Sequence, residues 1–171
     1  MATQETGNIT ADRLLAGEPL GQILDIPETK IQALAALGYN QYQQGKLDDA
    51  KTLFDGVTAL DPKSYLGYAG LGAIALAKQT PDLESAFTNL SKAAELNPND
   101  ATVQANLGET LLRQGKVDVA KSHLEKAFAL DPGHNDPGAN RARAIVGGLS
   151  MIVKEVETRL RAQDGSSSKA N

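Results

Sequence analysis

Cysteine and tryptophan are both absent from the 171 residues. Without Cys there is no disulfide, no thiolate metal site and no thiol nucleophile. Aromatic residues reach only 4% although hydrophobic residues make up 41%. Ala and Leu therefore carry the packing, which suits helices that approach closely. The two histidines, His123 and His134, have no companion at ligand spacing, so no metal site is expected. Net charge is −4 and the Lys and Arg residues are scattered. A nucleic-acid binder would show a basic stripe, and none is visible. No apolar run approaches the ~20 residues that span a bilayer. The start, Met1 to Glu5, lacks the basic and apolar stretches of a signal peptide. The expectation is a soluble intracellular protein that neither inserts into a membrane nor binds nucleic acid.

What is present is repetition. Gln44-Gly45-Lys46-Leu47-Asp48-Asp49-Ala50-Lys51, closed by Ala59-Leu60-Asp61-Pro62, returns as Gln114-Gly115-Lys116-Val117-Asp118-Val119-Ala120-Lys121, closed by Ala129-Leu130-Asp131-Pro132. A looser copy lies between them, through Ala86, Leu90, Ala93, Leu96 and Asn97-Pro98. The shift from Gln44 to Gln114 is two units of roughly 35 residues, the period of the helix–turn–helix tetratricopeptide repeat. The expected fold is all-α: three such repeats in a right-handed superhelix, with an N-terminal helical segment and a C-terminal capping helix.

The repeats are placed at 27–64, 65–100 and 101–134, within one domain spanning 10–162. Residues 1–9 and 163–171 are polar and read as disordered tails. In the N-terminal segment, 10–26, Thr10 caps a short helix carrying Leu14 and Leu15, Gly17-Glu18-Pro19 breaks it, and Leu20 to Leu24 is apolar on one face. Such a segment can cover the first repeat, as solenoid ends require, or supply a dimer contact. Asp25 and Pro27 open the first repeat. Leu34, Leu37 and Phe54 are expected between its helices, where Gly38 and Ala50 permit close approach. Gly45 and Gly115 end helices as C-terminal glycines do. The second repeat lacks that glycine, and Gln79-Thr80-Pro81-Asp82 predicts a longer turn. Ser64, Asp100 and Asp136 are candidate caps. The last helix, 136–162, bears the stripe Ile145, Val146, Leu149, Ile152, Val153, Val156 and Leu160, with Gly147-Gly148 inside it.

In a stack of this kind the first helix of each repeat lines the concave side, where extended partners bind. The first repeat places Gln32, Ala35, Ala36, Tyr39, Tyr42 and Gln43 there. The second places Leu66, Ala69, Gly70, Ala73, Leu76 and Ala77, and the third Thr102, Ala105, Asn106, Glu109, Leu112 and Arg113. The middle of the groove is apolar and small-chained, with Tyr39 and Tyr42 at one end and polar residues at the other. That composition fits apolar side chains of an extended or helical peptide. The carboxylate clamp that some repeat proteins place on acidic peptide ends needs Lys and Asn where this chain has Ala35 and Tyr39, so anionic termini are not the expected clients.

A narrower resemblance runs through Leu14-Leu15-Ala16-Gly17, Leu20 to Ile26, Ala36-Leu37-Gly38-Tyr39-Asn40-Gln41-Tyr42-Gln43-Gln44-Gly45-Lys46, Phe54, Leu60-Asp61-Pro62 and Gly70-Leu71-Gly72-Ala73. The series resembles the class II type III secretion chaperones, which hold hydrophobic translocators. The resemblance covers about residues 11–160 and is densest from Leu34 to Ala73. It implies a bacterial cytoplasmic location, a pore-forming translocator as client, and a short Pro- and Leu-containing client motif in the groove. Tyr39 and Tyr42 match the family's aromatic pocket residues. Ala35 departs, since an aromatic is usual there. The Thr80-Pro81 loop also departs, and the third repeat is closer to a generic repeat. Dimerisation through the N-terminal segment is implied at Leu14, Leu15, Leu20 and Leu24.

No catalytic constellation is seen. Asp48, Asp49 and Asp118 recur at helix starts, where the dipole explains them, and Ser91 and Ser122 have no base placed by a motif. Gly70-Leu71-Gly72 lies within a helix and is no phosphate loop. Arg141, Arg143, Arg159 and Arg161 read as a solvated face. The chain is thus expected to be a non-enzymatic protein without cofactors, a peptide-holding chaperone or, alternatively, a repeat scaffold assembling another bacterial complex.

Overall fold

The computed structural model describes the backbone of residues 11–167 and the side chains of residues 11–161. The expected tail at 1–9 and the Thr10 cap lie outside the described residues. Helical residues 11–15 form α1, followed by α2 (Leu20–Ile23), α3 (Glu28–Gln43), α4 (Leu47–Leu60), α5 (Tyr65–Ala77), α6 (Leu83–Leu96), α7 (Ala101–Arg113), α8 (Val117–Ala129) and α9 (Pro137–Ser167). The last helix runs past the boundary at 162 expected from the sequence, and 168–171 are not described. No strand occurs among the described residues.

Three helical hairpins follow in order, α3 with α4, α5 with α6 and α7 with α8, each packed on the next. Gly45 and Gly115 take φ of 76° and 78°, the left-handed geometry that lets one helix reverse into its partner. The middle hairpin reverses without a glycine. Its longer turn ends at Asp82, whose carboxylate accepts from the Ser85 N–H at 3.0 Å and caps α6. Asp100 caps α7 through the Val103 N–H at 2.8 Å, and Asp136 caps α9 through Ala139 N–H at 2.8 Å. Ser64 occupies the N-cap position of α5 without a side-chain bond. Asp25 is not a cap: it takes φ of 51° in the turn before α3, and Pro27 occupies the N-cap.

Small residues bring the helices together where the repeat pattern predicts. A Cβ on Gly72 would lie 2.5 Å from Leu90 Cγ, and one on Gly108 would lie 2.7 Å from Leu124 Cγ. Leu90 and Leu124 are fully buried beneath them, with Ala86, Ala93, Ala120 and Ala127. Phe54 and Val57 fill the first hairpin. Leu37 does not: it is 46% exposed. That face would meet a preceding repeat in the middle of a stack, and among the described residues the short α1 and the single turn of α2 stand before it. The α2 turn buries Gly21 and Ile23 and touches α4. Leu14, Leu15 and Leu24 stay exposed, while Leu20 is half-buried.

The opposite end is closed by α9, whose Ala139 and Ala142 are fully buried against α7 and α8. The arginines on this stretch are not simply solvated. Arg143 donates to the carbonyl oxygens of Phe128 (3.0 Å) and Asp131, and meets the Asp131 carboxylate at 3.3 Å. Arg141 reaches back into the concave side. No helix among the described residues is long and apolar enough to cross a membrane.

Candidate functional site: the concave groove

The first helices of the three hairpins line one continuous concave surface with two depressions. The larger, about 370 Å³, lies between α3, α5 and the start of α7. Its floor is Ala35, which is buried, with Ala69, Gly70 and Ala73 along one side. Tyr39 and Tyr42 form a wall, their rings stacked at 6.2 Å and 23°. Tyr39 is 52% exposed, so its ring is available to a visitor. Burial pushes the Tyr42 phenol above its ordinary pKa against the pull of Arg141, so it stays a neutral donor at physiological pH.

The smaller depression, about 200 Å³, continues from Tyr42 and Ala73 through Leu76 and Ala77 to Asn106, Glu109 and Arg141. Asn106 and Tyr42 border both depressions. At this end Glu109 is held by two cations, Arg113 at 2.6 Å and Arg141 at 3.1 Å. Arg141 also donates to Asn106 Oδ1. The groove thus changes along its length, from aromatic and methyl-lined to charged and hydrogen-bonded.

Of the groove residues expected from the sequence, Ala35, Tyr39, Tyr42, Leu66, Ala69 and Ala73 come together in the larger depression, and Leu76, Ala77, Asn106 and Glu109 in the smaller. Arg113 lies at the rim, tied to Glu109 on its own helix. Leu112 is elsewhere: it lines a cleft between α7, α8 and α9 with Val146 and Leu149. The helical phase has carried it from the concave face toward the cap.

Five lining residues were not expected. Phe54 was placed in the inter-helix core, and it is buried, but its ring also shows through to the groove because the facing residue is Gly70, on which a Cβ would collide with that ring. Small residues opposite a buried aromatic were the available signal. Tyr65, Asp100 and Val103 line the larger depression at the helix starts. Burial and the nearby Asp100 raise the Tyr65 phenol above its ordinary pKa. Arg141 had no signal, since its contact depends on where α9 docks. His123 is no ligand centre: its Nδ1 lies 2.8 Å from buried Gln104 Oε1, and burial holds its pKa below the ordinary imidazole value. No cluster of three or more metal-ligating side chains occurs among the described residues.

A stack of helical hairpins with a continuous concave cleft defines a peptide-holding repeat protein, and the comparisons agree. Tetratricopeptide repeat models match residues 35–101 and 101–134. The Low calcium response locus protein H of Yersinia pestis is 30% identical over 122 residues, 71% of each chain. The Yersinia enterocolitica type III secretion chaperone SycD, solved with a peptide of the translocator YopD, is 26% identical with a TM-score of 0.60 over 77% of this chain and 98% of that one. PcrH of Pseudomonas aeruginosa, solved with the chaperone-binding region of PopB, is 32% identical with a TM-score of 0.58 over 69% of this chain and 95% of that one. This chain belongs to the tetratricopeptide-repeat translocator chaperones of type III secretion.

Proposed function

We propose that the chain is a non-enzymatic chaperone of the bacterial cytoplasm that holds an extended apolar segment of a type III secretion translocator in its concave groove before export. The observation that carries this is the larger depression, where Tyr39, Tyr42, Phe54 and the alanines of α3 and α5 leave an open apolar surface. Apolar concavity with a few polar groups is what binding sites for peptide side chains consist of. Membership in the translocator chaperones supplies the client class. SycD is solved with a YopD peptide and PcrH with regions of PopB and PopD. The groove residues act by covering apolar client side chains that would otherwise aggregate. Leu14, Leu15, Leu20 and Leu24 are assigned to contact with a second copy, because three of them stand exposed in the short segment that precedes the first repeat.

The test is client binding by Tyr42→Glu and Leu76→Glu. Tyr42→Glu places a charge at the border of both depressions and Leu76→Glu one in the smaller, without touching a fully buried position, so circular dichroism should be unchanged. Calorimetric titration with the chaperone-binding regions of PopB and PopD should show at least a tenfold loss in both variants, since a desolvated unpaired carboxylate costs more than the ~1.4 kcal/mol that tenfold represents. Unaltered affinity in both would move the binding surface out of the groove, toward a scaffold that works through another face.

A further inference from the structure

We propose that Asn106 grips the main chain of the extended client, and that Arg141 on the capping helix orients it for that task. This deepens the groove reading above and rests on it.

Asn106 is 7% exposed and borders both depressions, so any chain running along the groove passes over it. Its carboxamide has one acceptor end and one donor end. A guanidinium only donates, so the end that meets Arg141 must be Oδ1. The donor end, Nδ2, is left without that partner. No acceptor meets it among the described residues, yet it is not sealed. The fully enclosed unpaired polar atoms of the described residues are Gln41 Oε1 and Gln114 Oε1. Nδ2 is therefore an unpartnered donor on a nine-tenths buried side chain that lines both depressions of the groove.

An extended client has the complementary need. Its carbonyls find no partners within its own chain, and each buried one requires a donor. Two of the other side-chain donors lining the larger depression are already engaged. Gln32 Nε2 donates to Glu28 at 2.9 Å and the Thr102 hydroxyl to the Asp136 carboxylate at 3.1 Å. The Tyr65 phenol lies close to Asn97 and Asp100. Tyr39 and Tyr42 retain their hydroxyls at the wall, and Asn106 is the amide donor that borders both depressions.

Arg141 makes that orientation persist. It is anchored by Glu109 at 3.1 Å, which Arg113 also holds at 2.6 Å. The residue comes from α9, so the donor is aimed only when the cap is docked. Asn106 is thus a binding residue, and Arg141 a positioning residue acting through it.

The experiment titrates fluorescein-labelled PopD chaperone-binding region into the full chain and its variants by anisotropy. Asn106→Asp keeps an acceptor for Arg141 but replaces the donor, and is expected to weaken binding about tenfold. Arg141→Ala should weaken it several-fold, and Arg141→Lys should restore part of the loss. Asn106→Ala with Arg141→Ala should bind no worse than Asn106→Ala alone, since the two act as one unit. In the parent, the Asn106 side-chain amide resonances should shift on saturation with the probe. Parent-like affinity of Asn106→Asp overturns the inference and leaves the groove reading standing, as Tyr42→Glu would still weaken binding at least tenfold. Should Asn106→Asp fail to fold, the amide resonances decide: resonances unmoved at saturation overturn it. Failure of the parent to bind the probe overturns the groove reading and this inference together.

Discussion

The two halves of α9 carry one continuous apolar stripe and meet opposite fates. Before Gly147, Ala139 and Ala142 are fully buried, Ile145 and Val146 pack on the third hairpin, and Arg141 and Arg143 are bonded to it. After Gly148, Ile152 is 62% exposed and Met151 74%. Composition does not explain the difference; length does. The helices that α9 covers, α7 and α8, have 13 residues each and are about 20 Å long. At 31 residues α9 is about 46 Å long, so half of it must overhang. A helical stripe states that a face suits an apolar neighbour. Whether the neighbour reaches it is decided by the other element's length.

The comparison is broken most severely at Ala142. Ala142→Glu would put an unpaired carboxylate into a site with no room and no water. A loss of about 3 kcal/mol or more in urea unfolding is expected. Val153→Glu, the same charge on the overhang, should stay within about 0.5 kcal/mol. Equal losses at the two positions would mean that the far half is packed after all.

A second, pH-dependent difference belongs to the docked half alone. Asp131 links α8 to α9. Burial alone would raise its pKa, but the backbone N–H groups of Asn135 and Asp136, each at 3.0 Å, and Arg143 outweigh that and hold it below the ordinary carboxylate value. A group whose folded pKa is depressed binds fewer protons folded than unfolded in that window. Its stabilisation is therefore complete above the unfolded value of about 3.9 and is lost as pH falls through the folded one. Thermal melts from pH 6 downward should show a steeper acid limb in the parent than in Asp131→Asn. Parallel limbs would remove Asp131 from the docking of α9.

How much of this could be read beforehand follows the same division between local and assembled properties. The hairpins, their small contact residues and the glycine turns at Gly45 and Gly115 were legible, because the repeat imposes them locally. Most of the groove was legible for the same reason, as helical phase fixes which residues of α3, α5 and α7 look inward. Leu37 was misread because its place in the repeat assumes a preceding helical hairpin, where the described residues form only the short α1 and α2. Leu112 was misplaced by one step of helical phase. Phe54 reached the groove only because Gly70 faces it. Arg141 entered the site through the docking of α9, which no periodicity encodes.

The junction itself sharpens the comparison by a smaller amount. A Cβ on Gly147 would meet nothing within 4 Å. Gly147→Ala therefore adds helix propensity without a clash, about 1 kcal/mol at most. Because the side chains beyond Leu149 are largely exposed, the gain should appear there locally. Amide exchange from Leu149 to Leu160 should slow up to about fivefold, while exchange at Leu124 stays as it was. Slowing at Leu124 as well would mean that the two halves open as one unit.

The smallest effect expected is also the most informative about function. Ile152→Lys combined with Val156→Lys makes the overhang polar on the face that is now apolar. Both side chains already stand exposed to water, so unfolding free energy should move by less than about 0.5 kcal/mol. Client affinity should not move at all, because neither residue borders either depression of the groove. Arg141, which does, sits on the docked side of Gly147 and keeps its contacts with Asn106 and Glu109 whatever the overhang does. Anisotropy with the PopD region measures this directly. A weakened complex in the double variant, with Asn106 and Tyr42 intact, would show that the overhang folds over the bound client and that the two halves of α9 share one task.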